Sequence, residues 1–220
     1  AADNKLNDHH SLNLSAFYPP NRRGRSTAIT QEVRDLKDIT YNPNWGYQDG
    51  EKRSSRIREV EEPVIMLNHY WNIGEKTTLN TNVAYQFGKI GNTRIDNSGV
   101  RNVTGNYYQN LPSYFLRNEV LTAYDYQAAY LAEQDFINDG QIDWFSLYQG
   151  NAATSDGNSV YTIQEDRVDD TQVTVNTILN TAVSENIAVT GSLNYRSLKS
   201  ENFAELKDLL GGNGYLDTRT

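Results

Sequence analysis

Three aspartates between residues 135 and 143 have a spacing that resembles the oxygen-ligand pattern of a calcium loop. Positions 1, 5, 6, 8 and 9 of an EF-hand loop would be Asp135, Asp139, Gly140, Ile142 and Asp143. Position 3 would be Ile137, which has no ligand oxygen, and position 12, which requires a bidentate Glu, would be Ser146. Because two ligand positions fail, we favour the end of a helix with solvated acidic side chains over a calcium site.

The sequence contains no arrangement of side chains that is typical of an enzyme. Its three histidines, His9, His10 and His69, are too few and too embedded in strand-like sequence for a metal site or a triad. Cysteine is absent, which excludes a disulfide scaffold and a thiolate metal site. Neither a nucleophile elbow, nor a phosphate-binding loop, nor a zinc-protease motif occurs. We therefore predict no catalysis, no bound metal and no cofactor.

Large aromatic residues in two polar stretches are the better candidates for a binding function. The candidate ligand-binding residues are Trp45, Tyr47, Tyr107, Tyr108, Tyr114 and Trp144. Rigid aromatic side chains bury much area for little lost freedom, so they are favoured anchors at binding surfaces. Turn-forming residues surround the first two, as in a loop that contacts a ligand. The alternative, that Trp45 and Tyr47 pack their loop against a neighbour, stays open.

Composition excludes several classes of partner and topology. The net charge is −8, the pI is about 4.9 and the mean hydropathy is −0.70. The basic run Arg22-Arg23-Gly24-Arg25 is followed by acidic sequence, so no surface for tracking phosphates is predicted and nucleic acid is not an expected partner. No apolar run approaches the roughly 18 to 20 residues that a membrane helix needs.

The elements that must carry these loops are strands with one apolar and one polar face. Period-two alternation marks 12–18, 77–87, 173–183 and 187–197. In the clearest case the odd positions are Leu79, Thr81, Val83, Tyr85 and Phe87. The stretch 64–71 is apolar on both faces in its first half, so its facing is not predicted. An all-β fold of about five antiparallel strands follows.

Short turns and very long loops alternate between these strands. The turns 72–76 and 184–186 are short, whereas the loops 19–62 and 88–171 are far longer than connections inside compact soluble domains. Outer-membrane barrels combine short periplasmic turns with long extracellular loops. Short helices are predicted inside the second loop at 124–137 and 142–148. The first of them would present one apolar side: Ala128, Leu131, Phe136 and Ile137.

Strand length and aromatic placement also favour transmembrane barrel strands. A tilted strand needs about 9 to 11 residues to cross a bilayer, and the alternating stretches approach that length. Aromatic residues fall where strands lead into long loops, at Phe17, Tyr18, Tyr85, Phe87 and Tyr195, and near the short turn, at Tyr70 and Trp71. This placement is typical of the two aromatic girdles of a barrel. Five strands cannot close one, so we expect residues 1–220 to be part of a longer protein.

Three segments carry a resemblance to a known family. They are Glu61-Glu62-Pro63-Val64-Ile65-Met66-Leu67-Asn68-His69-Tyr70-Trp71, the run Thr78-Leu79-Asn80-Thr81-Asn82-Val83-Ala84-Tyr85-Gln86-Phe87-Gly88, and Tyr107-Tyr108-Gln109-Asn110-Leu111-Pro112-Ser113-Tyr114-Phe115. This texture resembles the barrel region of TonB-dependent outer-membrane receptors, most closely those with a carboxypeptidase-regulatory-like N-terminal domain. In such receptors a barrel of about 22 strands encloses a plug. The sequence shows no plug domain and no box that engages TonB.

The resemblance implies energy-coupled uptake of a bulky nutrient, such as a siderophore, a glycan or a peptide, across the outer membrane of a Gram-negative bacterium. Apolar strand faces would meet outer-membrane lipid, and amide-rich faces would meet the receptor's own plug domain or the substrate path. The loops would capture the nutrient ligand, and the TonB energy-coupling complex would be a further partner. The alternative is a soluble extracellular β-sandwich, a carbohydrate-binding module whose Trp and Tyr residues stack on sugar rings.

Overall fold

The computed structural model describes residues 1–97 and 99–217, which form mostly antiparallel β-structure. Its strands are β1 (Ala2–Lys5), β2 (His10–Phe17), β3 (Asn21–Gly24), β4 (Trp45–Gln48), β5 (Glu51–Ser54), β6 (Ile57–Glu61), β7 (Val64–Gly74), β8 (Thr77–Asp96), β9 (Thr162–Ser184) and β10 (Ile187–Asp208). Its helices are α1 (Gln31–Lys37), α2 (Pro112–Phe115), α3 (Ala123–Asn138) and α4 (Trp144–Ala152), with a 3-10 turn at Tyr108–Asn110. The all-β expectation is confirmed. No helix of the described residues is long and apolar enough to cross a membrane.

The chain divides into two compact units. The sheet unit comprises Ala1–Arg22, Glu59–Gly91 and Arg167–Phe203. The loop unit comprises Arg23–Arg58, Asn92–Asp166 and the described residues from Ala204 on. Five strands, β3, β6, β8, β9 and β10, contribute residues to both units.

In the sheet unit the strands follow one another in the order β1-β2-β7-β8-β9-β10. The turn between β7 and β8 is reduced to Glu75-Lys76, and the turn between β9 and β10 to Glu185-Asn186. β7 pairs with β2 on one side and with β8 on the other, and both pairings are antiparallel, as predicted for strands joined by short turns or returning loops. Leu14 lies opposite Leu67, and Leu67 lies opposite Val83.

Directly paired residues share a face of a sheet, so the register assigns the facing of 64–71 that the sequence left open. Leu67 and Val83 lie on the apolar face, and the neighbouring positions Asn68 and Asn82 lie on the polar face. Along the polar face, Asn68 donates to Asn13 at 2.8 Å, and Asn13 donates to Asp3 at 2.7 Å. These amides form a ladder across neighbouring strands.

Side-chain hydrogen bonds carry the same facing into the two long strands. The hydroxyls of Thr81 and Thr177 lie 3.2 Å apart, which places the odd positions of β9 on the apolar face together with those of β8. Thr190 donates to Asn180 at 2.8 Å on the polar face, so the odd positions of β10 also belong to the apolar face. The predicted two-faced alternation is confirmed.

The apolar face of the sheet unit is uncovered in the described residues. Gly91 is the one buried position of this unit, and no side chain of it is buried. Leu14 is 49% exposed and Leu193 is 75% exposed, although both lie on the face that sequence periodicity assigns to a core or to lipid. A sheet that folds over a core of its own would bury one of its two faces.

The long strands extend well beyond the predicted ends. β8 continues to Asp96, β9 starts at Thr162 and β10 continues to Asp208, so the loop expected at 88–171 is shorter. Phe87 and Tyr195 therefore do not close their strands, contrary to the prediction. The extensions carry charged residues on both faces and have no apolar period; cross-strand ion pairs such as Arg94–Asp166 at 3.1 Å and Lys207–Glu165 at 3.1 Å support them instead.

The segment expected as the loop 19–62 also contains regular structure. It includes β3, α1, the β4–β5 hairpin and β6. β1 is a further strand without a predicted counterpart, because its four exposed residues, one alanine and three polar side chains, show no apolar alternation. Thr30 is the N-cap of α1. Its hydroxyl accepts a hydrogen bond from the Val33 amide, one of the N–H groups that lack a partner at the start of a helix.

The buried core of the described residues lies in the loop unit. One cluster consists of Ile142, Trp144, Leu147, Ile163 and Leu210, and the other of Val33, Tyr41, Leu111 and Phe136. Helix α3 confirms the helix predicted at 124–137 and begins with a capping box between Thr122 and Asp125. Its predicted apolar side is only partly right: Phe136 and Ala129 are buried, whereas Leu131 is 52% exposed. The apolar residues of α3 are distributed around the helix, so their spacing does not define one inward face.

Candidate ligand-binding site

Three of the six predicted aromatic residues meet in one cluster of the loop unit, which we call the tyrosine cluster. It consists of Tyr107, Tyr108, Tyr114 and Phe115. The ring centroids of Tyr107 and Tyr108 lie 4.8 Å apart, and those of Tyr108 and Tyr114 lie 5.6 Å apart. Phe115 continues the series at 5.4 Å from Tyr114. All three contacts are edge-to-face, the arrangement that aromatic quadrupoles favour.

Two arginines flank the tyrosine cluster. The guanidinium carbon of Arg117 lies 3.6 Å from the ring centroid of Tyr114, and that of Arg101 lies 5.9 Å from the ring of Tyr107. Cations over aromatic faces are attracted by the ring quadrupole. Partial loss of solvent and the hydrogen bond with Tyr108 raise the pKa of Tyr107, so its hydroxyl is neutral at physiological pH.

Packing and capping hold the tyrosine cluster in place. Leu111 is buried in the second core cluster, next to Phe136. Pro112 then starts α2, where its missing N–H costs nothing. The Ser113 amide and hydroxyl donate to the Glu32 carboxylate at 2.9 and 2.7 Å, which satisfies an otherwise unpaired helix start. The segment is thus fixed by contacts on both sides of α2.

Trp45 and Tyr47 form a separate aromatic pair on the β4–β5 hairpin. Their ring centroids lie 5.4 Å apart, and Lys52 places its ammonium 4.7 Å from the Trp45 ring. Asp49 and Gly50 form the tight turn with φ of 52° and 84°, the backbone that favours a two-residue hairpin. Tyr47 is 60% exposed, so this face of the hairpin is open to solvent.

Trp144 is a core residue, contrary to its predicted place among the ligand-contacting aromatics. Its side chain is 1% exposed and packs with Leu147 and Leu210. The Arg53 guanidinium stacks 4.3 Å from the Trp144 ring and is held at 2.5 Å by Asp208. The prediction was wrong because the sequence does not reveal that this loop has a core of its own, in which the tryptophan is buried.

A polar concavity of about 400 Å³ borders the tyrosine cluster, and we call it the amide cleft. Tyr107 and Tyr108 form part of its lining. Its other polar side chains are amides, hydroxyls and two guanidiniums: Asn44, Asn97, Asn102, Asn106, Thr27, Ser55, Thr104, Arg56 and Arg94. These residues were not predicted, because isolated polar residues in a loop produce no periodic or motif signal.

A second concavity of about 500 Å³ lies along α3. Ala128 and Leu131 contribute its helical wall, and Arg101 and Gln109 line it from the segment before α2. The Arg101 guanidinium also donates a hydrogen bond to the Asn110 side chain, so this arginine is held in place between ring and amide.

The acidic segment resembling a calcium loop is used for helix ends. Asp143 is the N-cap of α4 and accepts from the Ser146 amide at 3.1 Å and hydroxyl at 2.5 Å. Asp139 follows the end of α3 and accepts from the Gln141 amide at 3.3 Å. In residues 1–97 and 99–217, no group of three or more His, Asp or Glu side chains is placed to hold a metal ion.

The three histidines, His9, His10 and His69, lie in the sheet unit. The nearest ring nitrogens of His10 and His69 are 3.0 Å apart, and the two imidazoles stack with an interplanar angle of 4°. His10 also stacks on Trp71 with ring centroids 5.3 Å apart. The group belongs to the apolar face near the short turn, where aromatic side chains were expected.

No protein-family model, curated protein or solved structure matches this chain.

Proposed function

We propose that this chain is part of a TonB-dependent outer-membrane receptor that takes up a bulky nutrient by energy coupling. The observation that carries the proposal is the sheet unit, which has one apolar and one polar face and no buried side chain in the described residues. An apolar face of this kind needs an apolar environment, because soluble monomers rarely leave contiguous apolar patches larger than a few hundred Å² exposed.

Outer-membrane lipid is the proposed environment of the apolar face. The strands are antiparallel and joined by turns of two residues on one side, as in bacterial barrels. Trp71 and Leu79 are paired near the short turns, and Phe87 lies eight positions further along β8. Eight residues span about 26 Å along a strand, or about 20 Å along the bilayer normal at a tilt of about 40°. That span is comparable to the apolar band of a barrel, about 25 Å tall.

The polar face and the loop unit supply the receptor's other parts. The ladder Asp3–Asn13–Asn68 suits a hydrated interior, since these amides bond each other and still offer donors and acceptors to water or a plug domain. The loop unit has a core of its own and presents the tyrosine cluster beside two concavities. We assign nutrient capture to this unit. No catalytic role is proposed.

The soluble alternative, a β-sandwich that binds carbohydrate, requires a second sheet packed on the apolar face. Leu67, Val83 and Leu179 would then be buried, but they are between 38% and 42% exposed. The exposure of these side chains in the sheet unit therefore does not favour the β-sandwich alternative.

Depth-dependent quenching of tryptophan fluorescence tests the proposal. The chain has three tryptophans, and Trp71 is the one on the apolar face of the sheet unit. Refolded into phosphatidylcholine vesicles, the chain should be quenched by lipids brominated along their acyl tails. Trp71→Phe should remove most of this quenching, whereas the matched loop change Trp45→Phe should preserve it. Quenching by the brominated tails that is insensitive to Trp71→Phe would contradict the receptor proposal.

A further inference from the structure

We propose that the amide cleft binds an acidic sugar, a saccharide that carries a carboxylate on its ring. The inference rests on the proposed receptor function, because it names the class of nutrient that the loop unit would capture. It is carried by the size of the cleft, its aromatic wall, its charge and its surplus of hydrogen-bond donors.

The size and wall of the cleft suit one or two sugar rings. Its volume of about 400 Å³ falls in the range of about 300 to 1,000 Å³ that is usual for small-ligand sites. Tyr108 is 57% exposed and contacts the rings of Tyr107 and Tyr114, so it offers a fixed aromatic surface. The C–H face of a pyranose can stack on such a ring while its hydroxyls point to polar neighbours.

The charge of the cleft lining is opposite to that of the chain. The lining includes two arginines and no Asp or Glu, although the chain as a whole has a net charge of −8. Arg94 is already neutralised, since it lies 3.1 Å from Asp166 and also donates to Gln164. Arg56 is exposed, and in the described part of the chain its guanidinium makes no hydrogen bond or ion pair. It is therefore available to an anionic ligand.

The neutral side chains of the cleft add donors. Asn102 uses its side-chain oxygen to accept from the Thr104 amide at 2.9 Å and hydroxyl at 2.8 Å, which leaves the NH₂ group of Asn102 free. Within the described residues the Asn106 side chain makes no hydrogen bond, so it can both donate and accept.

An unpaired guanidinium with free amide donors matches a carboxylate and ring hydroxyls. Arginine binds carboxylates through two parallel N–H···O bonds, and such charge-assisted bonds are roughly twice as strong as neutral ones. A purely apolar ligand would strip water from these donors without replacing their hydrogen bonds, which is unfavourable. An acidic peptide also supplies carboxylates, but it lacks the hydroxylated ring that would use Tyr108 and the amides together.

The test is calorimetric titration of the full chain in detergent micelles at low salt with three probes: trigalacturonate, the neutral sugar maltotriose and the peptide triglutamate. Trigalacturonate should bind at least tenfold more tightly than either of the others. Arg56→Gln should weaken its binding at least tenfold, and Tyr108→Ala should weaken it about tenfold. The matched control Arg34→Gln removes an exposed arginine of α1 that is not part of the cleft lining and should change nothing.

Charge reversal, Arg56→Glu, provides a second variant and should abolish binding of trigalacturonate. In the described structure the Arg56 guanidinium has no hydrogen-bond or ion-pair partner to lose, and both changes keep the backbone bonds of this residue, so neither should unfold the chain. Equal affinity for maltotriose, tighter binding of triglutamate, or no effect of Arg56→Gln would each overturn the acidic-sugar assignment. Failure to bind any probe while Trp71 is still quenched by brominated lipid rejects the cleft but not the receptor. Sugar binding together with quenching that is insensitive to Trp71→Phe rejects the receptor alone.

Discussion

Placing an arginine at the centre of the apolar face should distinguish a lipid-facing sheet from a solvent-facing one. Val83 lies on β8, opposite Leu67, and is 38% exposed. Val83→Arg adds a charge to the apolar face. Asn82→Arg adds the same charge one residue away on the polar face, where Asn82 lies opposite Asn68. The two changes thus add the same arginine at adjacent positions on opposite faces of the sheet.

The expected size follows from the position of Val83 along the strand. Val83 lies four residues after Leu79, which is paired with Trp71, and four residues before Phe87. With a rise of about 3.3 Å per residue and a tilt of about 40°, it is about 10 Å along the bilayer normal from each aromatic level. That is close to the midplane, where an arginine on a barrel's lipid face costs about 2–4 kcal/mol. This corresponds to a loss of roughly 30-fold to almost 1,000-fold in the ratio of folded to unfolded chain.

Urea titration of the vesicle-inserted chain, followed by tryptophan fluorescence, measures this cost as a shift of the unfolding midpoint at constant slope. Asn82→Arg should shift it by less than about 1 kcal/mol, because its face is hydrated. Leu193→Arg and Asn194→Arg repeat the comparison on β10, where Leu193 is 75% exposed. Equal costs on the two faces, or a Val83→Arg variant as stable as the unchanged chain, would refute a lipid contact.

Three further predictions concern the loop unit. Thermal unfolding should show that Trp144→Ala lowers the free energy of unfolding by about 3–5 kcal/mol, because it empties a core site. Tyr108→Ala, on the surface, should change the free energy of unfolding by less than about 0.5 kcal/mol in the same measurement. Asn151→Ala removes five hydrogen bonds between this buried side chain and backbone groups, one of them buried and four part-buried, so it should cost about 3 kcal/mol or more, and Asn151→Asp should not restore the three bonds that require an NH₂ donor. Burial and the nearby Asp139 raise the pKa of Tyr41. The stability that Tyr41 contributes is therefore complete below the ordinary tyrosine pKa of about 10 and declines as the pH rises above that value. Tyr41→Phe should flatten this decline when the free energy of unfolding is measured by denaturant titration at several pH values.

The sheet was predictable where its residues alternate. Val83 and Leu193 follow a two-residue period set by the need to separate apolar from polar side chains, and this period also determines the register. The extensions of β8, β9 and β10 were not predictable in the same way. Their stability depends on partners that only the fold brings together, such as Arg94 with Asp166 and Lys207 with Glu165. Charged residues with no apolar period resemble a loop when each strand is considered separately.

The tyrosine cluster shows the corresponding limit for the candidate site. Tyr107, Tyr108 and Tyr114 are close in sequence, so local turns can bring their rings together, and residue type alone was sufficient to single them out. Trp144 has the same residue type but lies in the core next to Leu210, a contact across more than sixty residues of sequence. Arg56 has no such signal in the sequence, because its proposed role depends on a guanidinium without a partner among the described residues and on the cleft around it.

The two units differ in how the hydrophobic effect can stabilise them. In the loop unit, Trp144 and Phe136 anchor buried clusters, so water alone favours its compact form. In the sheet unit the described side chains are all at least partly exposed, and an isolated sheet without a buried face has only backbone hydrogen bonds and side-chain ladders, each of small net value in water. An apolar solvent changes that balance, because unpaired backbone groups become costly and the Leu67–Val83 face no longer contacts water. The proposal that the apolar face meets lipid thus explains why these strands are long, regular and uncovered at the same time.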